Sequence, residues 1–180
     1  MRRAMVVYES LFGNARAIAY AIAEGLSEAL PAEPVAAGHA PATIGPDVGL
    51  LVVGGPNHQF GMPRRASRRQ AAQDLGAQID PEAGGLREWL AHLTHRVQGG
   101  SAAAFDTRLD HPRILPYVDH ASRREQRFLR RRGFVLVAPA EHFFVTSMTG
   151  PLVIGETDRA QRWGQALAEM VAARYPSTGD

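Results

Sequence analysis

At 180 residues, 45% of them hydrophobic, the chain suits one folded domain, and its lack of cysteine removes disulfides, thiolate metal centres and a cysteine nucleophile. All 20 basic residues are arginine, which rules out Schiff-base chemistry and a P-loop lysine, and the net charge is only +2. The apolar run behind Met1-Arg2-Arg3 stops at Glu9, too short for a signal-peptide core; no run approaches the ~18 residues of a membrane span, so a cytoplasmic protein without membrane association is expected.

The first element is a short apolar strand over 4–8, which enters a tight loop carrying Ser10, Gly13 and Asn14. A helix over about 14–30 follows, with Ala15, Ile18, Ala19, Ile22, Ala23, Leu26 and Leu30 at the spacing of one buried face. A weak strand is expected near 33–37, where Pro34 argues for a sheet edge. Gly49-Leu-Leu-Val-Val-Gly54 is apolar throughout and therefore reads as a central strand. Ser67-Arg-Arg-Gln70 reads as a capping box opening a short helix near 67–75. A helix after Gly84-Gly85 should bury Leu86, Trp89, Leu90 and Leu93, and a strand is expected over Ser101–Phe105. A second capping box, Ser122-Arg-Arg-Glu125, opens a helix that stops at Gly133. A strand over Phe134–Ala138, an extended piece over His142–Thr146 and a helix over about 157–174 complete the chain. The last helix should turn Ala160, Trp163, Leu167, Met170 and Val171 inward.

Alternating strand and helix signals predict an α/β domain with a parallel sheet covered on both faces. Residues 9–14, 55–84 and 106–121 all leave the carboxyl ends of strands, where ligands of open parallel sheets bind. The first helical amides have no partner within the helix, and its dipole adds positive potential, so the 9–14 loop is a ready anion site. Two arginine runs stand out, 64–69 and 123–132. The second reads best as a solvated helix face, and with no nucleic-acid motif beside either run, no nucleic-acid partner is expected.

Other chemistries fare poorly. His92 and His95 share a helical face, but no third ligand is evident, so no metal is assigned. Gly-x-Ser-x-Gly and Gly-x-Gly-x-x-Gly are both absent from their required places. A receiver domain needs an acidic pair after the first strand, where Glu9 stands alone. No catalytic residue is assigned.

Ser10-Leu-Phe-Gly-Asn-Ala15 resembles the phosphate loop of flavodoxins, usually Ser/Thr-x-Thr-Gly-Asn-Thr. Gly54-Gly-Pro-Asn-His-Gln-Phe-Gly-Met62 resembles their second flavin loop, and Phe105-Asp-Thr-Arg108 stands where the third begins. The chain thus resembles the flavodoxin-like family over its whole length. The resemblance implies a three-layer α/β/α sandwich with a five-stranded parallel sheet of order 2-1-3-4-5. It implies one domain over 1–180, with an extended loop insertion at about 55–84, and FMN as cofactor.

Under that resemblance Ser10 and the amides of Leu11, Phe12, Gly13, Asn14 and Ala15 would hold the phosphate. Pro56, Asn57, His58, Gln59, Phe60 and Gly61 would pack the dimethylbenzene and N5 side of the ring. Phe60 would stack, and Gly61 would turn its peptide toward N5. Phe105, Asp106, Thr107 and Arg108 would meet the pyrimidine edge. Phe12 and Ala15 replace two threonines of the pattern. Each lost hydroxyl removes ~1.5–3 kcal/mol of bonding to a charged acceptor, together two or three decades of affinity unless Arg16, Arg64 or Arg65 compensates. The third loop lacks the usual ring-covering tyrosine, for which Tyr117 is the nearest substitute.

Two readings stand. One is an FMN-binding redox protein, an electron carrier or small oxidoreductase. The other is a flavodoxin-like domain without flavin that serves as a binding or regulatory module. For the first, the Arg64–Arg69 run suits a phosphorylated nicotinamide donor or an acidic redox partner protein. The oligomeric state, a homodimer included, stays open.

Overall fold

In the computed structural model the described residues are 2–57, 62–77, 79, 80, 82–93, 99–110 and 121–174. The chain runs β1 (Arg3–Tyr8), α1 (Asn14–Ser27), β2 (Ala32–Ala36), β3 (Val48–Pro56), α2 (Arg65–Asp74), α3 (Leu86–His92), β4 (Ser101–Leu109), α4 (Ala121–Arg131), β5 (Val135–Leu136), β6 (Glu141–Val145) and α5 (Glu156–Arg174). The sheet order is β2-β1-β3-β4-β5, all parallel, with β6 also parallel to β4. This is the expected 2-1-3-4-5 order.

Strand alternation divides the core into two layers. Ala4, Val6, Leu50, Val52, Ala103 and Phe105 face α1 and α5 and pack with Ile18, Ile22, Leu26 and Leu167. Met5, Val7, Leu51, Val53, Ala102 and Ala104 face α3 and α4 and pack with Leu86, Leu90 and Leu129. The apolar run of β3 is buried along its length because both its faces are covered. Pro34 lies in β2 at the sheet edge, opposite Val6, where a missing N–H costs no ladder bond on its outer side.

The structure differs from the sequence reading at several boundaries. β4 runs to Leu109, four residues past the expected end, because β6 pairs with its second half from Phe105↔Glu141 to Leu109↔Val145. The expected strand over Phe134–Ala138 shortens to β5, which pairs with Ser101 and Ala102, and the extended piece after it is β6, a sixth strand beside the same neighbour where five strands are expected. α1 ends at Ser27 rather than residue 30. α2 begins at Arg65, so Ser67 is its third residue and not its cap; its hydroxyl bonds the Arg64 amide at 2.8 Å. α4 likewise begins one residue before Ser122. In α5, Ala160, Leu167 and Val171 are buried as expected, whereas Met170 is exposed and Gly164 takes an inward place.

Candidate functional site

β1 ends at Tyr8, and the chain then passes along the carboxyl edge of the sheet. The Glu9 amide still bonds the Gly54 carbonyl at 3.0 Å, which holds the start of the loop against β3. Gly13 caps α1 with φ of 86°, a left-handed conformation that glycine adopts without strain. Ala17 donates to the Gly13 carbonyl at 2.9 Å, so the amides ahead of it have no place in the helical ladder. The first turn of α1 carries no acid, and its N-terminal potential is not cancelled locally. A Cβ added at Gly13 would meet nothing within 4 Å among the described residues.

Two unpartnered oxygens flank the crevice between β1 and β3. The Ser10 Oγ and the Asn57 Oδ1 are buried and have no hydrogen-bond partner among the described residues. Asn57 is anchored by its own amide, which donates to the Thr107 carbonyl at 2.9 Å. Buried oxygens of this kind are costly unless something completes them.

Phe12 does not fill the hollow. Its ring packs beside Leu11, Ala71, Ala77 and Ile79, a small cluster formed with the segment around α2. The Arg16 guanidinium lies over the Tyr20 ring, 5.4 Å from its centre. Asn14 turns away from the loop, and its side-chain amide donates to the Thr149 carbonyl at 3.2 Å. Leu11 and Ala15 are buried anchors that contribute backbone only to the loop surface.

A buried ion-pair network, missed by the sequence reading, fastens the 64–85 segment to β1. Arg68 is 4% exposed; its Nη1 lies 3.3 Å from Glu9 and 3.1 Å from Glu88. Glu9 also accepts the Leu86 amide at 2.9 Å. Burial pushes the Glu9 carboxyl up, against the opposing pull of the Leu86 amide and Arg68. Burial would raise Glu88 too, but bonds from Arg68, its own amide and Gly85 hold it below the usual range. Arg65 and Arg69 both pair with Glu82. Of the four arginines in the 64–69 run, only Arg64 has no ion-pair partner among the described residues. Burial, then the charges of Arg124 and Arg64, depress the Arg87 guanidinium, which identifies these three as one cationic neighbourhood.

At the end of β4 the predicted third-loop residues are strand. Phe105 is buried in the core, edge-on to Phe143. The Asp106 carboxylate is fully buried, accepts Arg108 Nε at 2.8 Å and lies 3.2 Å from His142 Nδ1. Thr107 is buried and Arg108 half-buried, so all four sit at or under the rim. Pro56 ends β3 and pairs with Thr107. His58, Gln59, Phe60, Gly61 and Tyr117 lie outside the described residues, as does His95.

The loop, the crevice and the three layers can be set against known proteins. An archaeal flavodoxin superposes with a TM-score of 0.60 at 18% identity, over 94% of this chain and 98% of its own. A flavodoxin from Streptococcus pneumoniae TIGR4 gives 0.62 at 15% identity, over 95% and 98%. The chain has the flavodoxin-like fold. The flavodiiron protein from Giardia intestinalis contains the same fold within a longer chain, with a TM-score of 0.60 at 14% identity over 96% of this chain and 37% of that one. At these identities the likeness is one of fold. No protein-family profile matches the chain, and no curated protein matches it significantly. Among the described residues, no helix of this flavodoxin-like chain is long and apolar enough to cross a membrane.

Proposed function

We propose that this flavodoxin-like protein binds FMN and acts in electron transfer, as a carrier or as a small flavin-dependent oxidoreductase. The observation that supports it most is the loop at Gly13, flanked by the Ser10 and Asn57 oxygens just past the ends of β1 and β3, both without a partner among the described residues. The crevice between those strands is the point where the strand order reverses, the usual ligand position in an open parallel sheet. When bound, FMN supplies the electron-accepting chemistry, and the protein supplies position and electrostatics.

The chain's residues divide that work. Ser10 Oγ and the amides of residues 11–15 hold the phosphate, aided by the unopposed N-terminal potential of α1. Asn57 completes its side chain on the ligand from the β3 side. Asp106 serves through its backbone, since its carboxylate is committed to Arg108 and His142. Arg64, the arginine of the 64–69 run without an ion-pair partner among the described residues, would favour an acidic partner protein or a phosphorylated nicotinamide donor.

The test is retention of colour. Purified protein should carry or take up FMN and show its visible absorption, and Gly13→Val should abolish that uptake while the far-ultraviolet circular dichroism stays native. A Gly13→Val protein that stays fully yellow refutes the loop assignment. A wild-type protein that ignores FMN at high concentration favours the flavin-free binding module.

A further inference from the structure

The 10–13 loop, to which the proposed function gives the phosphate, also borders a cavity of about 660 Å³ that extends to the end of β2 and to Gly76, Ile79, Asp80 and residues 83–85. Its size falls in the ordinary range of small-molecule sites, ~300–1,000 Å³.

The lining has two characters. Next to the loop, Phe12 and Ile79, both packed against the Leu11, Ala71 and Ala77 cluster, present apolar surface that is only partly buried. Farther from the loop, His39 at the end of β2 and Asp80 offer a nitrogen donor or acceptor and a carboxylate. Gly84 also lines the cavity, and a Cβ there would meet nothing within 4 Å among the described residues. Arg68 also lines the cavity; it is 4% exposed, and its Nε has no partner among the described residues.

We infer that this cavity receives the adenosine half of a nucleotide whose phosphates lie against the 10–13 loop. The inference rests on reading that loop as a phosphate site. A ligand anchored there that turns toward β2 instead of β3 needs a flat, largely apolar ring for the Phe12–Ile79 wall. It needs ribose hydroxyls within reach of a carboxylate such as Asp80, and negative charge beside Arg16 and the α1 N-terminus. Adenosine diphosphate meets all three requirements. It occurs as one half of a flavin dinucleotide and as one half of a nicotinamide donor.

Titration calorimetry with ADP, inorganic pyrophosphate and FMN as separate probes tests this. ADP should bind the flavin-free protein at least about tenfold more tightly than pyrophosphate does, or ~1.4 kcal/mol. Gly84→Trp should fill the cavity and weaken ADP by at least that factor, while pyrophosphate and FMN bind as before. ADP should compete with FMN, because both place phosphate on the 10–13 loop, and ADP that binds beside FMN overturns that placement; tighter competition by a flavin dinucleotide than by a nicotinamide dinucleotide, or the reverse, identifies the source. ADP no tighter than pyrophosphate overturns the inference on the wild-type protein alone, and so does a folded Gly84→Trp protein that still binds ADP normally. Normal FMN binding with no ADP binding removes this cavity site and leaves the proposed function standing.

Discussion

Glu9 shows how a single residue can carry more structure than its sequence context reveals. Standing alone after β1, it rules out a receiver-type acidic pair, and nothing around it in sequence points to Arg68, 59 positions away. In the fold the pair is buried, and an added Cβ at Gly85 would collide with both partners. Removing Glu9 leaves Arg68 with Glu88 and takes the acceptor from the Leu86 amide, so Glu9→Ala should cost about 1–3 kcal/mol in urea unfolding. The raised pKa of Glu9 means its contribution is present at low pH and declines as pH rises through the folded value. Glu156 behaves in the opposite sense. Burial would raise it, but bonds from Arg159 and the Phe144 amide, 2.7 Å away, outweigh that and lower it below 4.5. Its stabilisation is therefore present above the ordinary carboxylate range and is lost as pH falls through the folded value. Glu156→Gln should cost about 1–3 kcal/mol at neutral pH, and the gap from wild type should close in melts run progressively below pH 4.5. An unchanged gap at acid pH would contradict the assignment.

At the scale of elements, α1 and α5 cross so closely that glycines occupy the contact. A Cβ on Gly164 would strike the Ile22 carbonyl, and one on Gly25 the Gln161 carbonyl. Backbone cannot yield as a flexible side chain can, so Gly164→Val should destabilise by about 1–3 kcal/mol or more, read as a lower urea midpoint; an unchanged midpoint would show that the helices slide apart freely. The inward face of α1 was plain from its periodicity, because Ile18, Ile22 and Leu26 repeat at helical spacing. The inward Gly164 was not, since glycine carries no hydrophobic signal. The end of β4 was hidden for a similar reason: Asp106, Thr107 and Arg108 read as a polar loop, and only pairing with β6 makes them strand. Charge runs are equally deceptive locally. Arg65, Arg68 and Arg69 look like a free basic patch until Glu82, Glu9 and Glu88 arrive from elsewhere in the chain.

The whole molecule was the most legible level. Alternating apolar runs and helical faces specify a parallel three-layer sandwich, and the carboxyl ends of its strands are where the proposed function places the ligand. The loop 10–14 was legible because the Gly13-Asn14 pair and the helix behind it form a local pattern. The cavity toward β2 was not, because its walls come from residues 12, 39, 79, 80 and 84, which no sequence period relates. The missing hydroxyls at Phe12 and Ala15 bear on the central claim, since they predict weaker phosphate binding than a fully matched loop would give. The Ser10 and Asn57 oxygens, without a partner among the described residues, limit that loss by offering groups that a ligand can still complete. Quenching of FMN fluorescence by the flavin-free protein reads this directly. Saturable one-to-one quenching, weakened more than about 100-fold by Gly13→Val, is the outcome predicted here. FMN that stays fully fluorescent beside a folded wild-type protein at high concentration would contradict it.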